Sequence, residues 1–312
     1  MGRLKTILLT GATGFLGSYL LERLLKENYN VIILKRSFSN IWRIKHLLDS
    51  TKYYDIDKIP LEKIFEENKV DIVIHLATYY KKSHNYKDIG MMIDSNLKFP
   101  TKILDLMRLY GTKYFINTGT FFEYELVDRY ISENTSKSPY NLYASTKLAF
   151  GEILKYYSQN YNIKIIDLKL FAPYGPKDNE NKLIPFLIKN FLKNKIIELS
   201  PSEQKWNWTY YKDVVEAYIR AIHYISNMNN NLESFNIGND KTYTIKAIIE
   251  VLEDLTNKRN LVKYTKSYPK KEIFYVCCDN TKAKNYLGWI PKYDLYEGLK
   301  ETYEYYKNKL RS

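Results

Sequence analysis

Short apolar runs alternate with longer amphipathic segments through the first half of the chain. The runs are rich in Val, Ile and Leu, which is typical of strands buried on both faces of a parallel sheet. The segments between them repeat apolar residues with the period of a helix. The predicted elements are, in chain order, Leu4–Thr10, Leu16–Lys26, Val31–Leu34, Leu61–Asn68, Asp71–Leu76, Ile89–Leu109, Tyr114–Asn117, Tyr143–Tyr157 and Lys164–Leu170. This alternation predicts an α/β fold with a doubly wound parallel sheet and helices on both of its faces.

The alternation loosens after Leu170, where prolines enter predicted loops. We predict two domains. Residues 1–170, with 210–240 returning to them, form the sheet domain, and residues 171–209 and 241–312 form a smaller domain that binds the substrate over the carboxyl ends of the strands. The helices and the short strand predicted beyond Leu170 are Pro185–Leu192, Lys212–Ile225, Phe235–Ile237, Ile245–Thr256 and Leu295–Leu310.

Composition narrows the function classes. The chain has 312 residues and a formal net charge of +13, but its lysines are scattered among 35 acidic residues and form no basic stripe. We therefore predict no nucleic-acid partner, although the positive field would favour an anionic small molecule. No stretch has the roughly 20 apolar residues of a membrane span, so no membrane partner is predicted. Adjacent Cys277 and Cys278 are poorly placed to bond each other, which fits a reduced, cytoplasmic compartment.

The first predicted strand runs directly into a glycine-rich turn and then a helix. Residues 10–17 read Thr-Gly-Ala-Thr-Gly-Phe-Leu-Gly. Glycines in this pattern allow a tight turn, bring backbone amides close to a pyrophosphate and let the helix approach the strand, while the helix amino terminus attracts the anion. We predict a dinucleotide site that includes Gly11, Thr13, Gly14, Phe15, Leu16 and Gly17.

The end of the second strand indicates which dinucleotide is bound. An enzyme that uses NAD places a carboxylate there for the ribose 2′-hydroxyl, whereas this chain has Arg36 and Ser37. A guanidinium and a hydroxyl suit a 2′-phosphate, so we predict NADP(H) as the cofactor. Asp55 and Ile56, after the third strand, are predicted to lie beside the adenine; alternatively, Asp55 and Asp57 cap the turn that follows.

A candidate acid/base pair begins a later helix. Tyr143 and Lys147 are four residues apart and project from one helical face, where the ammonium would stabilise a tyrosinate. The fifth strand leads into Thr118-Gly119-Thr120, and a hydroxyl at the carboxyl end of a strand can reach the carbonyl oxygen on which Tyr143 acts. Thr120 is the candidate for that contact, and Thr118 is the alternative. No metal site is predicted.

These residues belong to a larger set of motifs, and with them the chain resembles an extended short-chain dehydrogenase/reductase of the sugar-nucleotide epimerase/dehydratase family, which has a Rossmann fold. The resemblance covers nearly the whole chain. Besides the glycine turn it is carried by His75-Leu76-Ala77, Glu133, Tyr143-Ala144-Ser145-Thr146-Lys147, Pro173-Tyr174-Gly175-Pro176, Tyr210 to Val214, Phe235 to Gly238, Asp279 to Pro291 and Leu295 to Thr302.

The resemblance implies roles for the candidate residues. Tyr143 exchanges a proton with the C4 oxygen of a nucleotide-diphosphate sugar, Thr120 donates a hydrogen bond to the same oxygen, and Lys147 holds the nicotinamide ribose and depresses the tyrosine pKa. Hydride moves between C4 and the nicotinamide, with Leu76 and Ala77 along the cofactor. The residues that the resemblance brings to the substrate are Thr78, Lys81, His84, Thr120, Phe121, Phe171, Lys182 and Trp206.

The chain departs from the family at two positions near the diphosphate. Ala172 stands where the family often has Asn, and Trp206 stands where it often has Arg. Lys177, Lys182 and Lys205 are possible replacements for the diphosphate contacts. Trp206 or Trp208 offers a stacking surface for a base, or either one packs inside the second domain.

The same motifs separate the possible reactions. Dehydratases of the family follow the threonine with an Asp-Glu pair, whereas Thr120 is followed by Phe121-Phe122, and Glu123 is one position late and expected to point elsewhere. A 4-epimerase and a 4-ketoreductase need only Thr, Tyr and Lys. The NADPH prediction favours the reductase, because net reduction needs an exchangeable cofactor. The strand end Lys35-Arg36-Ser37 and the pair Phe121-Phe122 are similar to those of reductases that form CDP-linked 3,6-dideoxyhexoses for surface polysaccharides.

Three alternatives remain open at this point: an epimerase, a non-catalytic NADP-binding protein and an RNA-binding protein. The presence of Thr120, Tyr143 and Lys147 together disfavours the second, and the absence of a localised basic stripe disfavours the third. Helices Ile89–Leu109 and Tyr143–Tyr157 resemble those that pair into a four-helix bundle in the family, so we predict a homodimer.

Overall fold

The computed structural model describes residues 5–311. The strands in this range are β1 Thr6–Thr10, β2 Asn30–Lys35, β3 Lys52–Asp55, β4 Ile72–His75, β5 Tyr114–Thr120, β6 Tyr130–Ile131, β7 Lys164–Leu170, β8 Pro173–Tyr174, β9 Ile197–Glu198, β10 Lys205–Trp206, β11 Thr209–Tyr210, β12 Leu232–Ile237, β13 Tyr243–Thr244, β14 Val262–Lys263 and β15 Tyr275–Cys278. The helices are α1 Phe15–Lys26, α2 Leu61–Glu67, α3 Asp88–Ile93, α4 Phe99–Tyr110, α5 Leu142–Asn160, α6 Leu183–Leu192, α7 Tyr211–Tyr224, α8 Ile245–Thr256, α9 Thr281–Leu287 and α10 Leu295–Lys309.

Most predicted elements agree with these bounds, and three features differ. A π turn, Asp94–Lys98, interrupts the predicted helix Ile89–Leu109, and it turns the buried Asn96 toward the loop after β4. The fifth strand continues to Thr120 because all seven of its residues pair with β7. Helix α9 was not predicted. Leu4, the predicted start of β1, lies outside the described residues.

Seven of the described strands form a parallel sheet in the order β12-β7-β5-β4-β1-β2-β3. The chain leaves β1 toward β2 and β3 and then returns to the other side of β1 as β4. The strand order reverses between β1 and β4, and open α/β sheets bind ligands in the crevice at such a point. The doubly wound α/β fold predicted from the sequence is confirmed.

Both faces of the sheet are covered, as a parallel sheet requires. Successive residues of β1 point to opposite faces, so Ile7 and Leu9 pack with α1 and α7, whereas Leu8 packs with α2, α4 and α5. None of these three side chains has measurable exposure. This double burial fixes the register of β1 and therefore the position of the glycine turn that follows it.

A second apolar core lies beyond the main sheet. Helices α6, α8 and α10 share it, with Phe191, Leu252 and Leu299 at its centre. A smaller sheet, in the order β13-β10-β15-β6, brings Trp206 of β10 toward the end of β5. The division into two domains stays a prediction; α9, which it assigned to the second domain, packs on α7 beside the main sheet.

The lengths of the helices and the state of the cysteines bear on membrane-spanning segments and on disulfide bonds. Within residues 5–311, no helix combines the length and the apolar character needed to cross a membrane. Cys277 and Cys278 lie in β15, and both are buried and free. Neither thiol is therefore involved in a disulfide in this structure.

Candidate active site

The glycine turn joins β1 to α1 in the crevice between β1 and β4. Gly11 has a left-handed backbone, with φ of 74°, and a Cβ there would lie 2.6 Å from the Ala77 backbone nitrogen. A Cβ on Gly17 would overlap the Gly11 carbonyl oxygen. Gly14 caps α1 without a side chain, so the amides of the first turn stay available to an anion. Side chains at Gly11 and Gly17 would clash with the neighbouring backbone, and the tight turn that these glycines allow forms a cradle that fits a pyrophosphate.

The remaining predicted residues of the turn lie at its rim. Thr13, Phe15 and Leu16 are partly buried, and the Thr13 carbonyl accepts a hydrogen bond of 3.4 Å from Arg43. Arg43 also donates to the carbonyl of Lys177 at 2.9 Å and thus connects the turn to the segment after β8. The sequence contained no signal for Arg43, because its partners are distant in the chain.

At the opposite end of the crevice, carboxylates surround the basic residue that follows β2. The Arg36 guanidinium forms an ion pair of 2.5 Å with Asp57, whose other oxygen accepts from the Ser37 backbone amide at 2.8 Å. The Ser37 hydroxyl donates to Asp55 at 2.7 Å. Asp55 also accepts from the Asp57 amide at 3.1 Å, so it does cap the turn that follows. Arg36 and Ser37 are therefore already paired, which the sequence did not predict.

A cavity of about 450 Å³ adjoins this group. Arg36 and Ile56 form one side. Lys98 of the π turn and Phe99 and Lys102 of α4 lie on the other. The lining is mixed, because the carboxylates of Asp57, Glu62 and Asp94 accompany the cations and the apolar side chains. Ile56 lines this cavity, and its contact with the adenine stays a prediction.

Tyr143 and Lys147 lie in the first two turns of α5. The side chain of Asn141 caps this helix by accepting from the Ala144 amide at 2.9 Å, which fixes the helix start just before Tyr143. Tyr143 and Lys147 are 9% and 3% exposed. The structure brings both side chains beside the carboxyl end of β5, where Thr120 is 7% exposed.

The Lys147 ammonium is held by the backbone of β5. Its Nζ donates to the Thr118 carbonyl oxygen at 3.0 Å. Burial lowers the pKa of Lys147 to about 8, although the negative charges of Glu123 and Asp167 act in the opposite direction. The ammonium therefore loses its proton within a pH range that is accessible to experiment.

The Tyr143 phenol has a pKa above the usual value for tyrosine. Burial is the main cause, and the charge of Glu123 and the nearby phenol of Tyr80 add to it, whereas a hydrogen bond from Thr78 lowers the pKa. The net shift is upward, and Lys147, which the resemblance implied would lower this pKa, is not among the groups that shift it. Tyr143 is a phenol, not a phenolate, at neutral pH.

The two candidate threonines have different surroundings. The Thr118 hydroxyl donates to the His75 carbonyl at 2.8 Å and contacts the Tyr218 hydroxyl at 2.6 Å, so both of its hydrogen-bonding roles are filled. Within residues 5–311, the single hydrogen bond of the Thr120 hydroxyl is a long one of 3.4 Å, which it accepts from the Phe122 amide. The hydroxyl retains its proton for donation to a ligand, which favours Thr120 over Thr118.

The loop after β4 closes one side of the site, and Asn96 anchors it. Asn96 is 1% exposed, and its carboxamide bonds Thr78, the Tyr79 backbone and Thr146. Thr78 is thereby held beside Tyr143. Sequence reasoning missed Asn96, which lies in the π turn that the hydrophobic pattern does not reveal. In the same loop, Lys81 and His84 are exposed, and Lys81 lies 3.9 Å from Asp88.

An aromatic wall stands on the other side of Thr120. It consists of Phe121, Phe122, Tyr140 and Trp206, with ring centroids 4.1 to 6.3 Å apart. Trp206 is partly exposed, and its indole nitrogen donates to the Ile273 carbonyl at 2.8 Å. Phe171 differs from the prediction: it stacks behind Phe121 with no exposed surface, so it supports the wall and does not contact a ligand.

Of the lysines considered for the diphosphate, Lys177 and Lys182 lie near the glycine turn, whereas Lys205 lies in β10 of the smaller sheet. Lys182 pairs with Asp178 at 3.1 Å and lies 5.7 Å from the ring centroid of Phe15. Lys177 lies over the ring of Tyr19 at 5.0 Å. Ala172, where the family often has Asn, adopts φ of 30°, a left-handed conformation that Asn tolerates better than Ala. The backbone at Ala172 thus keeps a geometry that favours the family's residue.

A buried group of charges lies directly behind β5. Glu123, Asp167 and Lys169 are 1%, 3% and 4% exposed, and Lys169 contacts both carboxylates. As predicted, Glu123 does not face the crevice. The partnership with Lys169 was not predicted, because the residues lie on different elements.

Comparison with known proteins adds to this geometry. The model of the NAD dependent epimerase/dehydratase family matches residues 7–238. The chain is 29% identical over 299 residues to CDP-abequose synthase of Salmonella muenchen, covering 95% of this chain and 96% of that protein. It is 29% identical over 318 residues to UDP-glucuronate 4-epimerase of Thermodesulfobacterium geofontis, covering 97% and 96%.

A solved structure resembles the whole molecule. It is a mutant UDP-glucuronic acid 4-epimerase from Bacillus cereus in complex with UDP-4-deoxy-4-fluoro-glucuronic acid and NAD. The TM-score is 0.87 at 28% sequence identity, and the match covers 97% of this chain and 99% of that one.

Proposed function

The chain belongs to the NAD dependent epimerase/dehydratase family, as its motifs predicted, and we propose that it uses NADPH to reduce the C4 ketone of a nucleotide-linked deoxyhexose. One observation carries the proposal. Tyr143 and Lys147 at the start of α5 and Thr120 at the end of β5 are all buried, and burial raises the pKa of the Tyr143 phenol and so keeps it protonated. Reduction of a ketone needs an acid that gives a proton to the oxygen, and a protonated phenol is that acid.

Each residue of the site has a part in this chemistry. Tyr143 donates its proton to the C4 oxygen as that oxygen gains negative charge. Thr120 donates a hydrogen bond to the same oxygen through the proton that its surroundings leave free. Lys147, held by the Thr118 carbonyl, binds the ribose next to the nicotinamide. When bound, the reduced nicotinamide supplies the hydride that adds to C4.

The glycine turn and the ends of β2 and β3 would hold the dinucleotide. Gly11, Gly14 and Gly17 form the pyrophosphate cradle, and Leu76 and Ala77 lie against it. Arg36 and Ser37 would meet the 2′-phosphate that distinguishes NADPH from NADH. Because Asp57 already pairs with Arg36, we propose a modest preference for NADPH. The similar epimerase structure contains NAD, so this preference rests on Arg36.

The aromatic wall supports a deoxygenated sugar as substrate. Phe121 and Phe122 directly follow Thr120 and offer no hydrogen-bonding side-chain group to the sugar. A sugar hydroxyl on this side would lose its bonds to water without replacement, whereas a CH₂ or CH₃ group would pack well. The similarity to a CDP-abequose synthase agrees with this proposal.

Epimerisation at C4 is the second candidate. The same three residues suffice for it, and a 4-epimerase is as similar to this chain as the CDP-abequose synthase. Epimerisation has Tyr143 take a proton from the C4 hydroxyl and later return it, so these residues do not divide the two reactions.

The two reactions differ in stoichiometry, which gives the test. The purified protein is supplied with NADPH and a CDP- or GDP-linked 4-keto-6-deoxy sugar, and absorbance of the reduced nicotinamide is followed while product is measured. Reduction consumes one NADPH for each sugar. Product formed without loss of NADPH would replace the ketoreductase proposal with epimerisation.

We also propose that the protein acts in the cytoplasm as a homodimer. The free thiols of Cys277 and Cys278 fit a reducing compartment. Exposed apolar side chains lie on the helices that were predicted to pair, including Met91, Leu109 and Tyr156. Sedimentation of the purified protein tests the assembly, and a monomer at micromolar concentration would contradict it.

A further inference from the structure

Three buried charges lie behind the Thr118–Thr120 segment, and the proposed mechanism does not use them. Glu123 belongs to the single turn that follows β5, and Asp167 and Lys169 belong to the neighbouring strand β7. Buried charges are costly unless each is paired and hydrogen-bonded. Their position beside the candidate acid calls for a functional explanation.

The three side chains bond to one another and to β5. Lys169 Nζ contacts Glu123 and lies 2.6 Å from Asp167. Glu123 accepts a hydrogen bond of 2.9 Å from the backbone amide of Thr120. Asp167 accepts one of 2.9 Å from the Asn117 side chain. The group therefore holds β5 on both sides of Gly119.

The three charged side chains approach the β5 backbone closely at Gly119, because glycine has no side chain there. A Cβ at this position would lie 2.5 Å from Lys169 Cδ and 2.8 Å from Asp167 Oδ1. The charged side chains thus occupy the space that a larger residue would need. Because they pair with each other, they have little freedom to move away.

We propose that Glu123, Lys169 and Asp167 form a clamp that positions the Thr118–Thr120 segment. The clamp keeps the Thr120 hydroxyl in place for reaction, together with the Thr118 carbonyl that binds Lys147. This inference rests on the proposed roles of Thr120 and Lys147, and it makes Glu123 a positioning residue. The two carboxylates of the clamp also balance the two ammonium groups of Lys169 and Lys147 in one buried region.

The charge balance gives the clamp a pH signature. Glu123 raises the pKa of both Tyr143 and Lys147, although burial is the main influence on each. Removing its charge therefore lowers both pKa values. The titratable groups that face Tyr143 or Lys147 are His75, Tyr80, Glu123, Asp167, Lys169 and Tyr218.

The first experiment replaces Glu123 by Gln, which keeps the size of the side chain and removes its charge. We expect kcat to fall by about 10- to 100-fold through misplacement of Thr120, and the alkaline decline of kcat to move to lower pH by about one unit. The matched control is Glu233→Gln on the edge strand β12. Glu233 is 6% exposed and pairs with Lys282 at 3.3 Å, and its loss should leave the pH profile unchanged.

The second experiment disturbs the clamp without removing a charge. It tests the clamp even if the Glu123→Gln variant does not fold. Gly119→Ala should lower kcat by about 10-fold or more. Gly151→Ala in α5 is the control, because a Cβ there meets nothing within 4 Å. Equal kcat in these two alanine variants would overturn the clamp.

A third measurement separates the clamp from the proposed reaction. NADPH affinity is measured against pH without any sugar, in the unmodified protein and in Glu123→Gln. The clamp predicts that affinity begins to fall at lower pH in the variant, since Lys147 loses its proton earlier. If the unmodified protein reduces no 4-keto sugar, the proposed function fails, and this binding measurement still decides on the clamp. A folded Glu123→Gln protein with an unchanged pH dependence of binding overturns it.

Discussion

The two ends of the dinucleotide crevice place their charges in different surroundings. At the chemical end, Lys147 is 3% exposed, and its bond to the Thr118 carbonyl is shielded from water. At the adenosine end, the side chains of Arg36 and Asp57 are 49% and 28% exposed. Buried charges interact strongly and shift pKa values, whereas exposed ion pairs contribute little because water and salt screen them. Substitutions at the chemical end should therefore have much larger effects.

The largest effect is expected for Tyr143→Phe, which removes the transferable proton and little else. Turnover should fall by about 10²-fold or more, while the fold and the affinity for NADPH are retained. The measurements are steady-state kinetics and fluorescence titration. If turnover stayed normal, the acid would have to be another group, and Tyr140 would be examined first.

Lys147→Met should weaken both NADPH binding and turnover, by about 10- to 100-fold each, because a buried charged hydrogen bond is lost. The unmodified protein should lose NADPH affinity as the pH rises past about 8, where Lys147 gives up its proton. A lysine is charged below its pKa, so affinity is complete on the acidic side. The Met variant should lack this decline, and a decline that persists in it would assign the titration to another group.

Thr120→Val should lower kcat by about 10-fold, because one hydrogen bond to the reacting oxygen disappears. Thr118→Val is the comparison at the same end. Its hydroxyl is bonded to the His75 carbonyl and the Tyr218 hydroxyl, so the variant should lose thermal stability more than kcat. The opposite ranking would transfer the role to Thr118.

At the adenosine end, Arg36→Ala should remove the preference for NADPH over NADH, a change of about 10-fold. The affinity for NADH should stay nearly constant, since NADH lacks the 2′-phosphate. Fluorescence titration with both cofactors is the measurement. An unmodified protein that binds NADH as tightly as NADPH would refute this interpretation of Arg36.

The smallest effect is expected for Asp57→Asn, which frees Arg36 and removes a repelling charge. NADPH affinity should rise by about 2- to 5-fold, since the ion pair is exposed, and the gain should shrink at high salt. A variant that binds NADPH less tightly would indicate that Asp57 positions Arg36 and does not compete with the phosphate.

Local patterns predicted those parts of the site that lie within one stretch of chain. The glycine turn follows its own strand, and Tyr143 and Lys147 share one helix, so spacing alone relates their side chains. The family resemblance added their roles. The apolar runs predicted the main sheet because its strands are buried on both faces.

The parts that were missed depend on contacts between distant segments. Glu123 and Lys169 are 46 residues apart, and only the pairing of β5 with β7 brings them together. Arg36 meets Asp57 across the ends of β2 and β3. The raised pKa of Tyr143 is a property of burial, which no spacing of residues reveals.

The π turn at Asp94–Lys98 makes the protein sensitive to the deletion of a single codon. A π turn holds one residue more than an α-helix needs for the same path. Loss of a single codon within this turn would restore a regular helix and rotate Asn96 by about 100° relative to its neighbours. Asn96 would then release the loop that holds Thr78 beside Tyr143. An in-frame deletion of one residue within this turn is therefore expected to inactivate this enzyme.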